Sequence, residues 1–403
     1  MHFVNGRRIA ITAVAACAAL VAAACGSSST TSAPSGSGSS SVPQISASSF
    51  NLSFAAMTAI KPLAAKGKGK VAVILPDTVS STRYVEFDAP YLTKSFQKAG
   101  LTSSEFNIQN AQGSDATQFS DAQAAITNGA TVLVVDPLDS GVGSRIESYA
   151  KSHGVPVIDY DRLTLGGTRK YYVSFNNVRV GTLLGNGLVA CIAAWHVASP
   201  QVIVMRGDPT DNNATLFANG YLAVLQPKFS AGTYKDVANP AGTWTPATAL
   251  TEFQAAYTAH PSANAVLMPN DENGAPIIHY LQTKGIKAMT FPVTGQDATL
   301  TGLQNVIAGY QCGTVYKPIY LEAQAAAALA MYLRAGLTPP KALVNGLATD
   351  VNTHTEVPSI LETPEWVVPS TVQSTVIKDG FVPASQLCAG SFAADCSKYG
   401  ISG

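Results

Sequence analysis

From Lys70 onward, short β-branched apolar runs alternate with longer segments of helical periodicity. The runs Val71–Leu75, Thr131–Val135 and Val155–Tyr160 have strand length, and helical patterns at residues 89–99 and 142–153 follow the first two. The second half repeats this order, with apolar runs at 201–205, 263–268 and 289–294 and helical patterns at 214–225 and 276–284. Apolar strands separated by helices are typical of a parallel sheet covered on both faces. The sequence therefore predicts an α/β fold of two doubly wound parallel-sheet lobes.

The N-terminus carries a secretory leader. Residues 9–24 are almost entirely apolar and follow Arg7 and Arg8, which is the pattern of a signal peptide. Three alanines directly before Cys25 resemble a bacterial lipoprotein processing site, where the cysteine is lipidated and becomes the mature N-terminus. An ordinary secretory signal cut nearby is the alternative. Both interpretations place the protein outside the cytoplasm, and we assign residues 1–24 to the signal peptide.

A serine-rich segment follows the leader. Half of the residues from Gly26 to Ser49 are serine, and such a composition cannot bury an apolar core. We therefore expect residues 25–69 to be a lipidated cysteine and a flexible tether. The remainder is roughly 350 residues, more than one core usually serves, which predicts two lobes of about 150 residues each.

Charge and composition exclude several classes of function. Lys plus Arg and Asp plus Glu are both 25, and no basic block occurs, so the chain lacks the electrostatic pattern of a nucleic-acid-binding protein. Charged residues make up only 12% of the chain, against about a quarter in typical proteins. The histidines and cysteines have no metal-site spacing. We expect no metal and no cofactor, and polar function must come from a few placed residues.

Four cysteines follow Cys25 in the chain. Cys388 and Cys396 are close enough in sequence to clip the C-terminal tail as a disulfide in an oxidising compartment. A bridge between Cys191 and Cys312 is the other pairing that the sequence leaves open.

Polar residues follow six of the predicted strands, three in each half of the chain. Ligands of open α/β sheets bind outside the carboxyl ends of the strands, so these residues predict two half-sites that face one cleft. The alternative is that the Asp and Asn residues only cap the helices that follow. Arg162 fits that alternative poorly, because arginine is a poor N-cap and a good bidentate partner.

These residues have the composition of a carbohydrate site. A sugar presents hydroxyls that donate and accept around a nearly apolar C–H face, so it needs planar polar groups at the rim and an aromatic ring on the face. Mixed acids and cations favour a neutral polyol over a dicarboxylate or a phosphate. Trp244 could instead pack within its lobe, and Lys317 could be a solvated helix start. The candidates are Asp161, Asp297, Asn213, Asn270, Arg83, Arg162, Lys317, Tyr84 and Trp244.

Seven short segments of the chain carry a further signal, and they are Val155–Arg162, Tyr172–Gly181, Gly207–Ala214, Pro269–Asp271, Gly295–Ala298, Thr314–Pro318 and Val376–Phe381. They occur in the order seen in the D-xylose-binding proteins of ABC transporters, and the chain resembles that family over residues 70–383. These proteins belong to the type I periplasmic binding proteins.

The resemblance implies a ligand set. The family's sugar contacts would fall on Arg83, Asp161, Arg162, Asn213, Trp244, Asn270, Asp297 and Lys317, each of the expected residue type. Tyr84 stands where the family often has tryptophan, which leaves the exact sugar open.

The resemblance also implies a hinge of three segments, near Phe175–Asn176, Lys317–Pro318 and Asp350–Thr355. Each lobe is then discontinuous. The expected boundaries are 70–175 with 318–352 for the N-terminal lobe, 176–317 with 353–387 for the C-terminal lobe, and 388–403 for a C-terminal tail.

By this resemblance together with its leader, the chain is expected to be a monomeric extracytoplasmic lipoprotein, anchored to the membrane by its lipid alone. It binds a monosaccharide, xylose or a related aldose, and its closed form delivers the sugar to an ABC permease. A sensor that presents the liganded form to a chemoreceptor or sensor kinase is one alternative. A glycoside hydrolase that uses Asp161 and Asp297 as its acid and base is another. A repressor would need a helix-turn-helix where this chain has its leader.

Overall fold

The computed structural model describes residues 42–403, and Pro43–Gly403 form one compact unit. The signal peptide at 1–24 and the lipidation of Cys25 lie outside the described residues. The strands are β1 Lys70–Leu75, β2 Phe106–Asn110, β3 Ala130–Val135, β4 Val157–Tyr160, β5 Tyr171–Phe175, β6 Gln201–Val204, β7 Lys235–Ala238, β8 Ala265–Leu267, β9 Thr314–Tyr316, β10 Gly346–Asp350, β11 Thr355–Glu362 and β12 Glu365–Val367.

The α-helices are α1 Ala55–Ala59, α2 Pro62–Lys66, α3 Ala89–Lys98, α4 Asp115–Thr127, α5 Ser140–Ser152, α6 Asn177–Ala194, α7 Asn212–Ser230, α8 Pro246–Ala259, α9 Asp271–Thr283, α10 Leu300–Ile307, α11 Ile319–Arg334, α12 Ala384–Leu387 and α13 Ala393–Lys398. Single 3₁₀ turns lie at Ala47–Ser49, Lys341–Leu343 and Gly390–Phe392, and π-helical turns lie at Tyr84–Asp88 and Gln373–Ile377.

The larger sheet has the order β10-β11-β5-β4-β3-β1-β2, and all its pairs are parallel except β10 with β11. Its central strands are apolar throughout because helices cover both faces. Helices α4 and α5 pack on one face of β1 and β3, and α3 and α11 pack on the other. We call the part of the chain that is built on this sheet the first lobe.

The smaller sheet, β7-β6-β8, is also parallel, and a bridge from Val266 to Val293 continues it towards β9 and β12. Helices α6 and α7 cover one face, and α8 and α9 cover the other. A Cβ at Gly181 would lie 2.0 Å from the Phe217 carbonyl oxygen, so the close packing of α6 on α7 requires glycine there. We call this part the second lobe. The predicted fold of two doubly wound lobes is confirmed.

The helix α6 is, among residues 42–403, the one helix long and apolar enough to cross a membrane. Half of it is buried in the second lobe, where it forms part of the hydrophobic core. Its apolar composition is therefore that of a core helix.

The chain passes between the sheets after Phe175, after Tyr316 and after Glu362. The first two passages lie next to expected hinge segments, but the third comes later than expected. Strand β11 pairs with β5, so residues 355–362 belong to the larger sheet and not to the C-terminal lobe as the boundary at 352/353 required. That boundary is wrong because a hairpin turn at 351–354, and not a crossing, follows β10. The rest of the lobe division stays a proposal.

The segment from residue 43 to residue 69 is folded, so the expectation of a flexible tether is wrong there. Phe54, Met57, Ile60 and Leu63 are all fully buried. Their spacing of three residues places them along one side of a helical path, which packs against the first lobe. The high serine content of residues 26–49 led to the prediction of a flexible tether through residue 69, although residues 54–63 carry this apolar stripe.

Two disulfides join the four cysteines, Cys388 with Cys396 and Cys191 with Cys312. The Cys388–Cys396 disulfide lies in a C-terminal segment that is packed against the rest of the protein. Cys396 and Ile401 are buried in one hydrophobic cluster with Phe381.

Loss of the Cys191–Cys312 bridge is expected to destabilise the protein more than loss of the other. The two bridges span 121 and 8 residues of sequence. In the chain-entropy model, they contribute about 5 and about 2.5 kcal/mol respectively. Urea unfolding of Cys191→Ser/Cys312→Ser and of Cys388→Ser/Cys396→Ser would measure the difference. A larger loss for the second pair would contradict the expectation.

Candidate functional site

The nine side chains that the sequence assigned to a ligand all line one cavity between the two lobes. It holds about 320 Å³ of empty space, part of it open to solvent. The nine residues are Arg83, Tyr84, Asp161 and Arg162 from the first lobe, Asn213, Trp244, Asn270 and Asp297 from the second, and Lys317 at the second crossing.

Arg83 is a buried cation that binds three carboxylates of the first lobe. Its guanidinium donates to both oxygens of Asp88 at 2.8 Å, to Glu322 at 2.6 Å and to Asp161 at 3.0 Å. Burial lowers the pKa of Arg83, but the three carboxylates outweigh burial and raise it well above its usual value. These bonds use four of its five N–H donors, so Arg83 mainly fixes Asp161 in place.

Asp161 follows β4 directly and lies in the left-handed backbone region with a φ of 56°. Such a conformation costs a non-glycine residue about 1–3 kcal/mol and persists only where its surroundings fix it. Its carboxylate accepts from Arg83 and, at 3.1 Å, from the Tyr84 hydroxyl. Burial raises the pKa of Asp161, but Arg83, Lys317 and Arg162 outweigh burial and lower it to about 2. Asp161 is therefore a fixed, ionised acceptor.

Arg162 lies between Tyr84 and two acids. Its Nη2 donates to the Tyr84 hydroxyl at 3.1 Å, and its Nε is 3.5 Å from Asp211 and 3.7 Å from Asp136. The Asp136 carboxyl group is fully buried, and neither of its oxygens has a hydrogen-bond partner among the described residues. Burial raises the pKa of Asp136 well above its usual value. Arg162 is thus the cation that compensates these buried acids.

The two amides connect the lobes. Asn270 caps α9 by accepting from the Asn273 N–H at 3.1 Å, and its Nδ2 donates across the cleft to the Ser80 carbonyl at 3.2 Å. Asn213 donates to the Asp161 carbonyl at 2.9 Å and accepts from Asn177 at 2.7 Å. Capping, the alternative function, is therefore present at Asn270, together with a contact to the opposite lobe.

Asp297 and Lys317 form the ion pair of the second lobe. Their charged atoms are 3.1 Å apart, and the Lys317 Nζ is 4.0 Å from Asp161. Burial lowers the pKa of Lys317, but Asp297 and then Asp161 outweigh burial and raise it. Asp297 has a φ of 92°, so both cleft carboxylates, Asp161 and Asp297, are held in left-handed backbone. The Ser81 hydroxyl of the first lobe donates to Asp297 at 3.2 Å.

Trp244 is the large aromatic of the cavity. Its indole N–H donates to Asp211 at 3.0 Å, and its ring lies at 6.4 Å from Phe217, edge to face. A Cβ at Gly207 would meet this ring at 2.2 Å, so the ring position requires glycine there. Tyr84 differs in that its hydroxyl is held by Asp161 and Arg162.

Five further residues line the cavity without having been predicted as ligands. Asp211 accepts from the Asn213 N–H at 2.8 Å, and it also pairs with Arg162 and Trp244. Ser80 and Ser81 lie in the segment between β1 and Arg83, which the sequence analysis did not assign to the site. The five are Ser80, Ser81, Asp211, Phe217 and Gln296.

The charges that line the cavity balance. Three carboxylates, those of Asp161, Asp211 and Asp297, accompany the cations of Arg83, Arg162 and Lys317. Among residues 42–403, no three His, Cys, Asp or Glu side chains gather as a metal site. The arrangement offers oriented donors, acceptors and an aromatic ring to an uncharged polar molecule.

Comparison with known proteins identifies relatives of this chain. A family model described as a periplasmic binding protein domain matches residues 71–338. The D-xylose-binding periplasmic protein of Escherichia coli is 36% identical over 295 residues, which cover 72% of this chain and 86% of that protein. A multiple sugar-binding periplasmic receptor of Rhizobium radiobacter is 30% identical over 347 residues, covering 81% and 95%.

A solved structure is also similar. The carbohydrate transporter solute binding protein of Chloroflexus aurantiacus, in complex with D-glucose, superposes with a TM-score of 0.70 at 28% identity, covering 78% of this chain and 97% of that one.

Proposed function

This chain belongs to the sugar-binding periplasmic binding protein family, and on that premise we propose that it binds one neutral monosaccharide between its lobes and delivers it to an ABC importer. Proteins of this family are transport receptors and carry out no catalysis. The sugar we propose is an aldopentose such as xylose or a related aldohexose, in keeping with the relatives that bind D-xylose and D-glucose.

The proposal rests on the charges in and around the cavity. Three carboxylates and three cations line it, and two of these cations also lie beside further buried acids: Arg83 beside Asp88 and Glu322, and Arg162 beside Asp136. No lining cation is left over for an anionic ligand, which would bring an unpaired charge into a buried site. A sugar hydroxyl both donates and accepts, so it can bind between an acid such as Asp297 and a cation such as Lys317 without a net charge.

The site favours ground-state binding over glycoside hydrolysis. A glycosidase needs one protonated carboxylic acid as its general acid, with a raised pKa. The pKa of Asp161 is instead lowered to about 2, because the nearby cations Arg83, Lys317 and Arg162 outweigh burial. Asp297 is paired with Lys317. These carboxylates serve as acceptors.

Delivery depends on closure of the cleft. Asn213, Asn270 and Ser81 each form a hydrogen bond from one lobe to the other. A ligand that contacts both half-sites stabilises the closed form over the open one, and the closed form is what a permease recognises. We further propose that the protein is lipidated at Cys25 and held at the outer face of the membrane. Its two disulfides suit that oxidising compartment.

A panel of sugars tests the proposal. Calorimetry and thermal-shift assays with D-xylose, D-glucose, D-ribose and myo-inositol are expected to find saturable one-to-one binding of at least one neutral sugar. The charged analogues D-glucuronate and D-glucose 6-phosphate are expected to bind about a hundredfold more weakly or not at all, because each buries an unpaired charge. No saturable binding of any neutral sugar, or turnover of aryl glycosides, would contradict the proposal.

A further inference from the structure

Glu272 joins the two lobes at a point outside the sugar cavity. It lies in the first turn of α9, in the second lobe, next to Asn270. Its Oε1 accepts from the first lobe: from the Thr82 N–H at 2.9 Å, from the Thr82 hydroxyl at 3.4 Å, and from the Ser81 hydroxyl at 3.2 Å, whose single proton it shares with Asp297. It is not among the residues that line the cavity.

The second carboxyl oxygen of Glu272 is in a different situation. Oε2 is buried and has no hydrogen-bond partner among the described residues. The charged groups around it are acids: Asp271 on the same helix, Asp297 on the neighbouring strand end, and Glu86 across the groove that both line. No ion pair to Glu272 occurs within residues 42–403, and the cation Lys317 is paired with Asp297.

We propose that Glu272 is a closure latch, a positioning residue that holds the Ser80–Thr82 segment of the first lobe against the second lobe without touching the sugar. The inference rests on the proposed function, because closure matters only if a ligand is enclosed. Ser80 and Ser81 line the cavity and precede Arg83, so the latch fixes one wall of the site. A protonated Glu272 keeps Oε1 as an acceptor, so protonation leaves the latch intact.

The latch makes closure depend on pH. In an open cleft, a solvated glutamate has a pKa of about 4.3. In the closed form, burial first, and then the charges of Asp297 and Asp271, raise the pKa of Glu272 to about 8. Closure therefore takes up a proton between these values, and sugar affinity falls as pH rises through that window. Burial also raises the pKa of Asp271 to about 7, and its hydrogen bonds are to Gln311, Thr299 and Thr314 of its own lobe. Any pH dependence that Asp271 contributes is therefore retained in a variant that changes Glu272 alone.

Titration calorimetry with D-xylose as the probe tests this inference. Wild-type affinity is expected to fall about a hundredfold between about pH 6 and about pH 9. The variant Glu272→Gln keeps an acceptor at the same place but cannot titrate, so its affinity is expected to change by less than about twofold over that range. Glu272→Ala loses both the bonds and the titrating group, so it is expected to bind about tenfold more weakly than Glu272→Gln at every pH. The neighbouring control Glu86→Gln should keep the wild-type pH profile.

A second readout does not depend on which sugar binds. With the sugar selected by the panel at saturation, hydrogen exchange of residues 80–84 at one fixed pH is expected to be faster in Glu272→Ala than in the wild type, because the Thr82 N–H loses its acceptor. Equal exchange in the two proteins, or a Glu272→Gln variant with the full wild-type pH dependence, would overturn the latch. If D-xylose does not bind but the exchange difference is present, the choice of sugar has failed and the latch stands.

Discussion

Replacement of Arg83 with methionine is expected to lower the free energy of unfolding by about 3–5 kcal/mol, because it leaves buried charges without their partner. Arg83 is the common partner of Asp88, Asp161 and Glu322, all of them buried. Because methionine fills much of the volume of arginine, the substitution leaves little cavity. The loss of unfolding free energy is therefore caused mainly by the unpaired charges. Urea unfolding followed by circular dichroism near neutral pH measures it.

A surface arginine provides the matched control for this substitution. Arg145 is exposed and lies over the Phe119 ring at 4.5 Å. Arg145→Met should cost less than about 1 kcal/mol. If unpaired acids cause the loss, Arg83→Met with Glu322→Gln will be more stable than Arg83→Met alone. A loss at Arg83 no larger than that at Arg145 would contradict this account of the first lobe.

Arg162→Ala is expected to weaken sugar binding by about a hundredfold or more, because truncating a buried charged partner costs about 2–5 kcal/mol. Arg162 is the cation between the buried acids Asp136 and Asp211, and it orients the Tyr84 hydroxyl. Its removal leaves an excess of negative charge beside the ligand. Calorimetry with the sugar selected by the panel measures the change.

Arg162→Lys separates charge from geometry. Lysine keeps the positive charge near the acids but lacks the planar fork that binds Tyr84 and the Leu138 carbonyl together. We expect an affinity between those of the wild type and Arg162→Ala. Wild-type affinity in Arg162→Ala would show that the ligand lies elsewhere.

The sequence was informative where a general rule of parallel sheets applies. Asp161, Arg162 and Lys317 come at the ends of apolar runs. Because the carboxyl ends of parallel strands lie at the same edge of a sheet, the sequence could predict that these side chains meet in one cleft. Asn270 could be predicted in the same way, although its second function as a helix cap could not be separated from its contact with Ser80.

Features that depend on pairing over long distances could not be predicted. Nothing local in Thr355–Glu362 shows that it joins β5 in the larger sheet, because strand pairing is fixed by the packing of distant segments. The run at 289–294 was predicted as a strand, but it contributes only the bridge at Val293. Glu272 carried no signal, because its partners are three donors of the other lobe.

A crystal structure of the protein with the sugar selected by the panel tests the central claim most directly. We predict one sugar ring in the cavity between the lobes, with hydroxyls bonded to Asp297 and Arg162 and its apolar face against Trp244 or Tyr84. Sugar bound at another place, with Asp297 and Arg162 facing solvent, would contradict the account.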